Sequence, residues 1–337
     1  MVCIAIKRIW RIMNRCRSNA NVKRITSVRF FLFAFLLVVS FSSCSKKKTQ
    51  RIYLAESVVV LVVDGPRYSE TWGDPLKENI PHMAHDLAPE GVVFTNFRNN
   101  GPTYTSAGHT AILTGNYQEI DNGGGERPLF PNYLNYWLKA TKASPTKSWF
   151  FTSKDKLEIL SDSQDAAWMG NYVPNRDCGI NGLGSGYRPD SITVQHILDT
   201  LDTYHPNLVF INFREPDYSG HSGNWEDYLD AIRDVDEAYF TIWNYLQASS
   251  FYKNKTAFFI TNDHGRHLDE FGGFSGHGDD CEGCRHINLF AAGPDFKKAE
   301  ICNLPFEQID ITATIAEMLH LDMIHSNGKV IHPLFRN

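Results

Sequence analysis

Three short polar segments each follow an apolar run, and each carries a carboxylate. Asp64-Gly65 follows 57-SVVVLVV-63, Asp217-Tyr218-Ser219-Gly220-His221 comes soon after 207-NLVFINF-213, and Asp263-His264-Gly265 comes soon after 256-TAFFIT-261. A single Asp after a strand is ordinarily a turn or cap residue. Three such segments, two of them with histidines, read instead as a ligand set. Asp and His are hard and borderline donors that suit zinc, and a catalytic zinc keeps one position open for water or substrate. Two such ions would clamp a transferring phosphoryl group. The stretch 101-GPTYTSAGHTAILTG-115 adds a glycine-rich turn with several hydroxyls at the opening of a helix, where free backbone N–H groups favour an anion. A Thr hydroxyl is protonated at neutral pH, so it needs a neighbouring metal ion to act as a nucleophile.

In their order along the chain these motifs resemble the alkaline phosphatase superfamily, and most of all its nucleotide pyrophosphatase/phosphodiesterase branch. The resemblance runs over residues 57 to 295 and rests on Asp64-Gly65, Thr105-Ser106-Ala107-Gly108-His109 with Thr114-Gly115, Asp217-x-x-x-His221 and Asp263-His264-Gly265. It implies two divalent ions, zinc by donor type. Asp64, Asp263 and His264 would hold one, with Thr105 as nucleophile beside it and Thr103 as the fallback. Asp217, His221 and a third histidine would hold the other; His277 lies close to the family spacing and His286 is its local competitor. His109, His205 and His267 read as structural or exposed. Asn122 resembles an asparagine that contacts a phosphoryl oxygen. Lys154 and Lys156, in 152-TSKDKLEIL-160, resemble basic residues that reach the phosphate in certain monoesterases; a solvated basic turn is the competing reading.

The activity so implied is hydrolysis of a small phosphorylated substrate through a phosphothreonine, with monoester and diester both open. A sulfuric ester hydrolase is disfavoured, because no Cys/Ser-x-Pro-x-Arg signature lies at the Thr105 segment. A phosphotransferase or mutase of the same superfamily stays open, as does an inert binding lipoprotein.

The elements that must position these residues are legible as alternating patterns. Continuous β-branched and aromatic runs at 57–63, 91–97, 148–153, 207–213, 256–261 and 287–292 read as buried parallel strands. Between them lie helical patterns, notably 225–247, where Leu229, Ile232, Val235, Ala238, Tyr239, Ile242 and Leu246 share a face. The expectation is an α/β fold, a mostly parallel central sheet with helices on both faces, as a single domain over 57–337. In such sheets ligands sit at the carboxyl ends of the strands. The Gly/Pro-rich stretch 170–190 breaks the alternation and reads as a loop-rich insertion, a surface excursion near the site.

The chain's beginning is different material. Eight basic residues and no acid precede the apolar run 30-FFLFAFLLVVSF-41, the pattern of a signal peptide over 1–43. Met13 is a second candidate start. Ser42-Ser43-Cys44 resembles a bacterial lipoprotein processing site, with Cys44 lipidated, 44–56 a polar tether and the protein membrane-anchored in the periplasm. A transmembrane anchor is the runner-up, although the run is shorter than the ~20 residues a span needs. Without the leader, 25 basic residues face 38 acidic ones, a net charge of about −13, which argues against a nucleic-acid-binding face. Four cysteines remain, Cys178, Cys281, Cys284 and Cys302, to which disulfides, free thiols and a zinc site all apply; only Cys281-Glu-Gly-Cys284 has ligand-like spacing.

Overall fold

The computed structural model describes residues 51–336, and Ile52–Asn337 form one compact unit. The signal peptide 1–43, Cys44 and all of the tether 44–56 up to residue 50 lie outside the described residues. Among the described residues nine strands build one sheet: β1 (Ser57–Asp64), β2 (Gly91–Arg98), β3 (Ser148–Thr152), β4 (Asn175–Cys178), β5 (Leu208–Pro216), β6 (Thr256–Asn262), β7 (His286–Ala292), β8 (Glu300–Cys302) and β9 (Phe306–Glu307). Their spatial order is β4-β3-β5-β1-β6-β7-β2-β8, with β9 also on β2. β1 lies parallel to β5 and β6, and β3 parallel to β4 and β5. β7 is antiparallel to both β6 and β2, which makes the sheet mixed rather than wholly parallel.

The unbroken apolar run of β1 follows from burial on both faces. Val58, Val60 and Val62 enter one core with Phe94, Phe210 and Phe259, whereas Val59, Leu61 and Val63 enter the other with Ile211 and Phe258. Helices cover both. The first core is closed by α1 (Thr105–Thr114), α2 (Tyr133–Thr141) and, near the C-terminal end of the chain, Gln308–Leu319; the second by α3 (Asp190–Tyr204) and a long helix at 225–248. After α3 come α4 (Asp217–His221), α5 (Trp225–Ala248), α6 (Glu282–Arg285) and α7 (Gln308–Leu319). The buried stripe of α5 includes Tyr228, Ala231 and Trp243 beside Ile232, Val235, Tyr239, Ile242 and Leu246, while Leu229 and Ala238 fall at its margin. Asn224 caps this helix by accepting the N–H of Glu226.

Two expectations are corrected. The stretch 170–190 is not all loop: Asn175–Cys178 extends the sheet as β4, and Tyr187 then returns toward the site, its ring 5.8 Å from Lys154 Nζ. Four residues with no apolar run gave no strand signal. Among the described residues no disulfide forms, since Cys178, Cys281, Cys284 and Cys302 are all free. Cys178 and Cys302 are buried on the strands at opposite ends of the sheet order, out of reach of each other. Among the described residues no helix is long and apolar enough to cross a membrane.

Candidate active site

The carboxyl ends of β1, β5 and β6 converge because the three strands are neighbours in register, and the polar segments after them meet. Asp64 ends β1, and Asp263 and His264 follow β6 directly. All three are fully buried. His264 Nε2 stands 3.5 Å from Asp64 Oδ1 and 3.3 Å from Asp263 Oδ2. These same three atoms are buried and make no hydrogen bond. Orphaned polar atoms are costly unless something satisfies them. One cation would satisfy all three, so the donor set fits a divalent ion. Burial pushes the His264 imidazole down to about 3, which keeps it neutral, while its Nδ1 donates to the Gly265 carbonyl at 2.8 Å and turns the Nε2 lone pair inward. Burial, with the charge of Asp263, raises the Asp64 carboxyl to about 7.

A second triad lies beside it. Asp217 Oδ1 is 3.3 Å from His221 Nε2 and 3.3 Å from His277 Nε2, and the two imidazole nitrogens are 3.2 Å apart. Again each Nδ1 is tied to a carbonyl, His221 to Ser275 and His277 to Thr103, both at 3.0 Å. His286 is elsewhere: it stacks on Tyr68 and bonds the Thr95 carbonyl, so His277 is the histidine brought to Asp217. One ligand atom of each residue in each triad lies within 4.8 Å of the others.

Thr105 opens α1, whose N-terminal turn follows the extended Tyr104; Gly115, at φ 72°, ends the helix by donating to Ala111. Two glycines let the pieces close up. A Cβ on Gly108 would come 2.4 Å from the Asp263 carbonyl oxygen, and Gly65, at φ +67°, has room only for hydrogen against Asp217 at 3.0 Å. Lys154 joins them. Its Nζ lies 2.8 Å from Asp64 Oδ2, 2.6 Å from Asp217 Oδ2 and 3.4 Å from Thr105 Oγ1. With 2% exposure it is no solvated turn residue. Burial opposes its charge, but Asp217 and Asp64 outweigh burial and raise its pKa, so it stays protonated. Asn122 Oδ1 accepts the Ser106 N–H at 3.0 Å and the Lys156 ammonium at 3.1 Å, which places both residues at the α1 N-terminus.

The remaining candidates take structural places. Thr103 is buried and donates to the Asp279 carbonyl at 2.7 Å. His109 bonds the Thr105 carbonyl at 2.8 Å and the Asn212 amide at 3.0 Å. His205 caps α3 and packs on Phe251. Sequence reasoning missed Arg266, which is fully buried; it donates to Asp217 Oδ1 and to the Ser275 carbonyl. Its only signal is its place directly after Asp263-His264-Gly265.

Residues 58–267, more than half of the chain, match the family profile for type I phosphodiesterase / nucleotide pyrophosphatase. The chain belongs to that family. The fold of this phosphodiesterase-family protein is shared with murine ectonucleotide pyrophosphatase/phosphodiesterase 5, at TM-score 0.60 and 16% identity over 83% of this chain and 100% of that one. A second structure of the murine protein is an inactive threonine-to-alanine variant in complex with AMP. A phosphonate monoester hydrolase from Silicibacter pomeroyi aligns at TM-score 0.59 and 14% identity, over 82% of this chain and 76% of that one. An alkaline phosphatase superfamily protein from Vibrio parahaemolyticus aligns at TM-score 0.60 and 17% identity, over 84% and 70%. A search of curated protein sequences finds no match to this phosphodiesterase-family chain.

Proposed function

We propose that the protein hydrolyses phosphoric esters, a phosphodiester or pyrophosphate of nucleotide type before a monoester, with Thr105 as the nucleophile. One observation carries the reading: a single buried ammonium, Lys154, touches Thr105 Oγ1 and one carboxylate of each triad. Family membership supports the reaction class, and the inactive threonine-to-alanine variant of the murine protein, solved with AMP, supports a threonine as the nucleophile type and a nucleotide as the substrate type. Asp64, Asp263 and His264 would hold one divalent ion and Asp217, His221 and His277 another, zinc by donor type. Such ions, when bound, favour the ionised form of an oxygen nucleophile and offset phosphoryl charge.

The chain's own groups do the rest. The Lys154 ammonium, 3.4 Å from Thr105 Oγ1, favours the alkoxide, and the positive end of α1 faces the phosphoryl oxygens. Thr105 Oγ1 bonds to phosphorus as the bond to the leaving oxygen breaks. Water then attacks the phosphorus held on Thr105, the Thr105–phosphorus bond breaks, and a proton from that water restores the hydroxyl; a diester leaves as a monoester. Asn122 orients a non-bridging oxygen. Acid-quenched protein mixed with bis(4-nitrophenyl) phosphate should carry a 4-nitrophenylphosphoryl group on Thr105, and protein mixed with 4-nitrophenyl phosphate should carry phosphate there. Thr105→Ala should lose on the order of 10⁴-fold or more in turnover, as loss of a nucleophile does elsewhere. An inert binding protein would show no phosphoryl adduct on Thr105 and no turnover with zinc restored.

We further propose that the mature protein begins at a lipidated Cys44, that 44–56 is a tether to a catalytic domain over 57–337, and that it faces the bacterial periplasm. The basic leader and apolar run ending at Cys44 support this. Cys44→Ala should release the protein from membranes; equal membrane retention of both forms would overturn it.

A further inference from the structure

Outside the two triads, the segment that follows β6 gathers a third group of ligand-type side chains. His267 Nδ1 stands 3.6 Å from Cys281 Sγ, 3.6 Å from Cys284 Sγ and 3.2 Å from Asp279 Oδ1. One donor atom from each of the four lies within 4.8 Å of the others. Tetrahedral zinc, with bonds of about 2.3 Å to sulfur and about 2.0 Å to nitrogen or oxygen, sets sulfur-to-nitrogen edges of roughly 3.5 Å and nitrogen-to-oxygen edges of roughly 3.3 Å. The three contacts of His267 have those lengths. We propose that His267, Asp279, Cys281 and Cys284 form a third, structural zinc site that clips the loop carrying His277.

The backbone around the group is built for close approach. Gly265 N–H donates to the Cys284 carbonyl at 2.8 Å. A Cβ on Gly283 would come 2.3 Å from the Arg266 carbonyl oxygen, so only glycine lets the Cys281-Glu282-Gly283-Cys284 turn lie against the start of the loop. A Cβ on Gly276 would come 2.8 Å from the His267 ring. Asp279 Oδ1 also accepts the Cys281 N–H at 3.0 Å, which orients the carboxylate, as partners of metal ligands do. Two sulfurs and an imidazole select zinc over calcium or magnesium.

Gly272, Gly273 and Gly278 all have positive φ, and a Cβ on any of them would meet nothing within 4 Å. A metal joining His267 at the loop's start to Cys281 and Cys284 at its end closes it and lowers its entropy. Closure bears on two residues: His277, inside the loop, and Thr103, two residues before Thr105, whose hydroxyl donates to the Asp279 carbonyl. The third ion takes no part in hydrolysis.

Elemental analysis of unreduced purified protein should find three zinc ions per chain, and Cys281→Ser/Cys284→Ser should retain two. Cobalt exchanged into the wild type should give a thiolate-to-cobalt charge-transfer band in the near ultraviolet. That band should be lost in the double variant and kept in Thr105→Ala, so it reads this site independently of the hydrolytic reading. Should the double variant not fold, alkylation of native wild-type protein decides: Cys281 should resist iodoacetamide until a strong chelator is added. The same zinc content in the wild type and the double variant, equal alkylation with and without chelator, or a Cys281–Cys284 disulfide found by peptide mass would each overturn the proposal.

Discussion

The Asn122 side-chain oxygen accepts the Ser106 N–H at 3.0 Å and the Lys156 ammonium at 3.1 Å, which leaves the amide nitrogen as the end free to donate beside Thr105. Removing one donor to a developing oxyanion costs about 10²-fold or more in turnover. Asn122→Ala should therefore lower kcat by about 10²-fold with zinc content unchanged. A variant that lost metal as well as rate would show that Asn122 supports the fold of the site instead.

Lys154 lets Asp64 and Asp217 share a dry site before any ion binds. Removing one partner from a buried ion pair costs about 3–5 kcal/mol, because the other charge is stranded. Lys154→Met should melt well below the wild type when both are chelated, and most of the gap should close when zinc is restored. Equal melting of the two chelated proteins would sink the idea that this ammonium balances the acids.

The Asp64 carboxyl is raised from 3.8 to about 7 by burial and by Asp263. A carboxyl raised on folding favours the protonated form, so its contribution to the metal-free fold is fully present below pH 3.8 and is lost as pH rises through about 7. A metal ion competes with that proton. Zinc uptake should tighten between pH 5.5 and 7.5, approaching tenfold per pH unit at the acid end (about one proton displaced), with protons released on binding. Isothermal titration in buffers of different ionisation heat measures the proton count, and no pH dependence across that window would refute the assignment. Asp64→Asn should release fewer protons per chain on zinc uptake, the shortfall being the share of Asp64.

Lys156 is half-buried against Asn122, and both burial and Lys154 lower its pKa. A phosphate monoester carries one more negative charge than a diester, and a charged hydrogen bond is worth about 1.5 kcal/mol or more, roughly tenfold. Lys156→Glu should depress kcat/KM for 4-nitrophenyl phosphate at least tenfold more than for bis(4-nitrophenyl) phosphate. Equal losses would remove Lys156 from substrate charge recognition. Lys154 is unsuitable for this test, because the same ammonium holds both triads.

The sequence by itself determined six of the nine described strands, the α/β layering and the residue types gathered at the strand ends. Runs such as 57–63 are apolar at every position because both faces of β1 are buried, and the acids that end them are polar because the strands stop at the site. Periodicity in α5 is equally local, although Leu229 and Ala238 fall at its margin and Tyr228, Ala231 and Trp243 join the buried stripe. What tertiary structure decided were contacts between distant segments. Lys154 meets Asp64 and Asp217 across 90 and 63 residues, and a lysine after a strand gives no local sign of burial. Arg266 is another such case, a buried cation whose partner Asp217 lies on a different strand end. The choice of His277 over His286 rested on which loop folds back over β5, and His267, which reads as structural or exposed in sequence, meets Cys281 and Cys284 only because glycines let the two ends of the loop touch. Pattern along a chain records what each segment buries; the partner that completes a charge or a ligand set is set by packing between segments, which no short stretch of sequence carries.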